Sequence, residues 1–178
     1  ELRQAATGAL DHMVIDVVAS LFDQILSDAK VPSLMARQIA RLQLPVLRVA
    51  LIDTSFFSSR RHPVRRFVNR IASLAVAFDD FTAGPGQKFH EMVRSLVDEI
   101  VAGDFDQMQQ YQQKLAALEE FAADEAKNDA ESVHRVPSLL DRREAVALLQ
   151  KRRVQGLKFA LASAQMDDYL GVLRTQVY

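Results

Sequence analysis

Apolar residues in this chain recur at intervals of three and four. Val14, Val17, Val18, Leu21, Phe22, Ile25 and Leu26 set the pattern. Phe67, Ile71, Leu74 and Phe78 repeat it, as do Phe89, Met92, Val93, Leu96, Val97 and Ile100. That spacing lines one face of an α-helix and leaves no room for the two-residue alternation of a half-buried strand. Val46–Ile52 alone has the composition of a buried strand. No second segment could pair with it, and an unpaired strand leaves its backbone donors and acceptors unmet. We read it as a short buried helix and the fold class as all-α. Six glycines, five prolines and no tryptophan agree, because a β-sandwich or barrel needs many more turn residues.

The helices are predicted over about 9–28, from Ser33 to near Pro45, over 46–52, over 63–79 and over 87–102. Asp53–Ser59 reads as a loop, and Gly84-Pro85-Gly86 as a connector. Gly103 stops the fifth helix and Asp104 caps the next. From there the pattern narrows. Met108, Tyr111, Leu115 and Leu118 form a heptad-like seam on an otherwise polar helix. It is expected to fade at Asn128-Asp129 into a loop over 127–137. A last helix from about 139, with Leu140, Val146, Leu149, Leu157, Leu161 and Leu173, is expected to pack back against the seam. The predicted architecture is therefore a compact helical bundle over 9–102 followed by a long antiparallel helical hairpin over 105–178. Apolar residues left over on the last helix, Leu170 among them, make Met108, Tyr111, Leu115, Leu118 and Leu170 the candidate interface of a homodimer.

Composition removes whole classes of chemistry. The chain has 178 residues and no cysteine, which rules out disulfides, thiolate zinc sites, iron–sulfur clusters and a cysteine nucleophile. Half its residues are apolar, 49%, and 25% are charged, the balance of a folded domain with a real core. No apolar run reaches the roughly 18–20 residues of a membrane span, so no membrane insertion is expected and the location is read as cytoplasmic. The chain starts at Glu1 without an initiator methionine or a signal-like segment and is read as part of a longer protein.

No glycine-rich phosphate loop, nucleophile elbow or kinase signature occurs. His12, His62, His90 and His134 share no metal-binding spacing, so no metal and no cofactor are expected. The acidic pairs Asp79-Asp80, Asp98-Glu99, Glu119-Glu120 and Asp167-Asp168 are adjacent in sequence. On a helix their side chains diverge by about 100°, which suits solvated faces and not a carboxylate dyad. Nothing supports catalysis, and the chain is read as a non-enzyme with no catalytic residues.

The net charge of −1 conceals a segregation. Residues 1–28 carry −4, residues 29–78 carry +8 with Asp53 as the single acid, and residues 79–178 carry −5. The densest stretch is Arg60-Arg61-His62-Pro63-Val64-Arg65-Arg66, followed by Arg70. Arginine forks at a helix start suit phosphates or carboxylates, which makes Arg60, Arg61, His62, Arg65, Arg66 and Arg70 candidates for binding an anion or a partner. Pairing of Arg65, Arg66 and Arg70 with the acidic helices of the same chain is the plainer alternative. Phe56-Phe57 beside them is expected to anchor the loop. Nucleic acid is a weaker candidate than protein as a partner.

The string Arg41-Leu42-Gln43-Leu44-Pro45-Val46-Leu47-Arg48-Val49-Ala50-Leu51-Ile52-Asp53, then Ser55-Phe56-Phe57, then His62-Pro63 with Arg65-Arg66 and Asn69, resembles a bacterial family. It is the domain-of-unknown-function family sixteen thirty-one, and this chain looks like its central helical segment. Members are sometimes labelled thymidine phosphorylase, but nothing in this sequence resembles a nucleoside phosphorylase. Many members are longer and end in a small β domain similar to cyclic di-GMP-binding modules. The resemblance thus implies a regulatory setting, with cyclic di-GMP bound through a C-terminal domain outside this chain. It transfers no catalytic residue. The resulting expectation is a non-catalytic protein-interaction or oligomerisation module of a bacterial regulatory protein. The alternative is direct binding of a nucleotide or nucleic acid through residues 37–70.

Overall fold

The computed structural model describes residues 2–59, 61–103, 108–135, 141–151 and 154, and the side chains from residue 8 onward. Among these residues there is helix and no strand, as the apolar spacing requires. In chain order the helices are α1 (Leu2–Ser27), α2 (Ser33–Ala40), α3 (Gln43–Ile52), α4 (Ser55–Ser58), α5 (Pro63–Ala75), α6 (Gly84–Ala102) and α7 (Met108–Arg135). Residues 141–151 are helical as well.

Several boundaries differ from the sequence reading, each for a local reason. Pro45 does not break a helix. It lies in the first turn of α3, where a missing N–H costs nothing, and Val46 N–H already donates to the Leu42 carbonyl at 2.9 Å. The 53–59 loop contains the single turn α4. α6 starts earlier than expected, at Gly84, whose φ of 64° only glycine adopts cheaply. α7 does not fade at Asn128 but continues to Arg135, supported by the Glu131–Arg135 pair one turn apart and by Ser132 Oγ donating to the Asn128 carbonyl at 2.8 Å.

A single core joins these helices. Phe22 and Ile25 from α1, Met35 and Ile39 from α2, Val46 and Val49 from α3, and Phe67 and Ile71 from α5 are all buried in it. Phe89 and Val93 of α6 join them, with Phe78 and Phe121 packed around Phe89 at 5.3 and 5.7 Å between ring centres. Gly86 lies directly beneath the Asp80 carbonyl. A Cβ there would stand 1.9 Å from that oxygen, so glycine is what lets the connector close onto α6.

The seam of α7 lands in a place the sequence reading did not give it. Tyr111, Leu115 and Leu118 are buried in this same core, with Met108 half-buried against it. Their partner is α5, and the rings of Phe67 and Tyr111 meet edge to face at 6.0 Å. The seam therefore closes the bundle on α5, and the core runs on past residue 102. Leu157, Leu161, Leu170 and Leu173 lie outside the described residues.

Candidate functional site

The basic motif folds inward. Asp53 ends α3, and its carboxylate turns back to accept the Ser55 N–H at 2.9 Å, starting α4. α4 brings Phe56 into the core, 1% exposed, with Phe57 half-buried beside it, edge to face at 5.0 Å. The paired rings thus anchor the loop as their sequence suggested. The chain then reverses to His62, the N-cap of α5, with Pro63 in the first turn.

His62 is buried and has both ring nitrogens engaged. Nδ1 accepts the Val64 N–H at 3.3 Å, and Nε2 lies 3.3 Å from Asp53 Oδ2. An acceptor at Nδ1 places the proton of a neutral ring on Nε2, which donates to Asp53. Burial holds the imidazole below its ordinary pKa. Asp53 opposes that shift, and the Arg65 guanidinium adds to it. The Asp53 carboxyl is held below its usual value, first by its hydrogen bonds with Ser55 and then by His62.

Arg65 completes the clamp. It is 3% exposed, and Nη1 donates to the Phe56 carbonyl at 3.3 Å and the Ser59 carbonyl at 3.5 Å. Its guanidinium carbon stands 6.0 Å from the centre of the Phe56 ring. α3, α4 and α5 are thereby tied together by Asp53, Phe56, His62 and Arg65.

The six basic candidates thus separate. His62 and Arg65 are inside, holding backbone. Arg70 Nη2 pairs with Glu119 of α7 at 2.7 Å, which is the plainer alternative realised for that residue. Arg61 and Arg66 are exposed, and Arg60 lies outside the described residues. Elsewhere Arg41 pairs with Asp98 at 2.7 Å, and Lys114 pairs with Glu99. The sequence reading missed the parts of Asp53 and Arg65. A signal was present, because Asp53 is the only acid among nine bases in residues 29–78, and a lone acid there has a specific partner to find.

This arrangement leaves His62 no nitrogen with which to abstract a proton from a substrate, since one already donates and the other already accepts. Among the described residues no group of three or more His, Asp or Glu side chains could hold a metal ion. No helix among them is long and apolar enough to cross a membrane.

The other unusual surface is the outside of α3. Pro45, Val46, Val49 and Ala50 are its buried residues. At about 100° per residue, Leu44, Arg48 and Leu51 share the opposite arc, with Leu47 and Ile52 at its edges. Leu44 is 58% exposed, Leu51 40% and Ile52 67%. Leu44 and Leu51 flank Arg48 on that arc, more exposed apolar surface than a helix facing only water ordinarily carries.

The family model described as the second domain of the protein of unknown function DUF1631 matches residues 1–107. The chain belongs to the DUF1631 family. No curated protein and no solved structure matches it. The whole clamp and the outer face of α3 lie inside the DUF1631 match. The first turns of α7, which complete the core, lie beyond it.

Proposed function

We propose that this chain is a non-catalytic protein-interaction module of a larger bacterial regulatory protein, and that a partner protein docks on the outer face of α3. The observation that carries this reading is the exposure of Leu44, Leu51 and Ile52 on a helix whose other face is already buried. Isolated surface leucines are commonplace, but a run of them along one helical arc is what binding surfaces look like. Direct anion binding through residues 37–70 draws less support, because His62, Arg65 and Arg70 are spent on internal contacts. The connection to cyclic di-GMP rests on the family resemblance alone.

The test is a photo-reactive amino acid placed at Leu51 in cells, with the same group at Gln24 on the exposed side of α1 as control. A discrete cross-linked product from position 51, absent from 24 and abolished by Leu44→Glu, is the expected result. Equal labelling from both positions would sink the α3 assignment.

A further inference from the structure

We propose that Asp53, His62 and Arg65 form an acid-sensitive latch, in which a proton taken up at His62 Nδ1 releases residues 53–59 from the head of α5 and uncovers Phe56. With Nε2–H committed to Asp53, an incoming proton has only Nδ1 to occupy. That atom faces the Val64 N–H at 3.3 Å, so protonation sets two donors against each other and removes the cap of α5.

The surrounding charges give the direction. Asp53 from the end of α3 favours the imidazolium, whereas Arg65 from α5 disfavours it. α4 presents the Phe56 ring, 5.2 Å from the imidazole centre, and its Ser-Phe-Phe-Ser sequence has no titratable side chain. Burial outweighs Asp53, so the folded clamp holds a neutral ring and the charged ring is better served in water. The folded state then binds fewer protons than the released one. The latch is accordingly closed above the ordinary histidine range and loosens as pH falls through and below it. Release takes Phe56 out of the core together with the two carbonyls that Arg65 holds. The proposal is independent of the α3 assignment.

Amide hydrogen exchange on the 178-residue chain, corrected for the intrinsic pH dependence, tests it between about pH 8 and 5. The expected result is protection at Val64 and Ser59 falling by up to about tenfold per pH unit in the acidic part of that range, the slope of a one-proton opening. Val93 and Val97 in α6 should stay unchanged. His62→Asn keeps a side-chain acceptor at the cap and removes the titration, so its profile should be flat. A flat profile in the unaltered chain, or an equally steep one in His62→Asn, overturns the proposal. Imidazole nitrogen shifts of the unaltered chain supply a check that needs no variant. A neutral ring with hydrogen on Nε2 at pH 7 is expected, and a charged ring or an Nδ1–H ring there would also overturn it.

Discussion

Arg65 is a charged side chain placed where a hydrophobic one would ordinarily be, and two backbone carbonyls account for it. Its Nη1 reaches both acceptors from a planar guanidinium that also faces the Phe56 ring, a combination that lysine's compact ammonium does not reproduce. Hydrogen bonds from a charged donor are worth about 1.5–3 kcal/mol each. Arg65→Lys is therefore expected to destabilise the chain by roughly 1–3 kcal/mol in urea unfolding, despite keeping the charge. Phe56→Ala should cost about 3–5 kcal/mol, and Phe57→Ala clearly less because its ring is half-exposed. The anchoring role of the two rings was legible in the sequence, since a pair of phenylalanines in a polar loop has one economical placement. The inward turn of Arg65 was not legible. Nothing in a run of arginines says which one meets carbonyls, and that choice is made by the path of α4 overhead.

At the scale of elements, helical spacing located α1, α2, α5, α6 and α7, because each must bury an apolar stripe whatever its neighbours are, whereas α3 followed from the lack of any strand to pair with it. What spacing could not give was the neighbour. The narrow stripe of Tyr111, Leu115 and Leu118 matches a coiled-coil seam as well as a bundle-closing face, and α5 took it. α3 makes the converse point. The sequence reads as a buried helix there, yet the bundle covers only Pro45, Val46, Val49 and Ala50 and leaves Leu44, Leu51 and Ile52 exposed, a choice made by how α1 crosses it. Leu51→Glu combined with Ile52→Glu should leave the unfolding free energy within about 0.5 kcal/mol of the unaltered chain, since neither side chain is buried. With the photo-reactive group placed at Leu44 instead, the same pair of changes should abolish cross-linking from this face. Gly86→Ala is expected to destabilise by at least about 1–3 kcal/mol, because the new methyl group meets backbone oxygen that has no freedom to move aside.

For the molecule as a whole, the family match and the physical core end in different places. The match stops at residue 107, whereas burial continues to Leu118. Fully burying a side chain of this size contributes about 1.5–3 kcal/mol. Removing Tyr111, Leu115 and Leu118 together approaches the entire stability of an ordinary domain, about 5–15 kcal/mol. A chain ending after residue 107 should therefore lose cooperative thermal unfolding, with Phe67 left bare. One ending after residue 124 keeps every buried side chain of α7 and should melt cooperatively. Calorimetry of the two truncations decides between these limits.

The continuity of α7 also has a mechanical meaning. Its turns up to Phe121 are gripped by α5 and α6, and residues 122–135 carry on as unbroken helix for about 21 Å. A helix held at one end behaves as a lever. A tilt of about 10° at Phe121 would sweep the far end by some 4 Å, on the same 1.5 Å rise per residue. Small rearrangements of the bundle would thus arrive enlarged at His134 and Arg135.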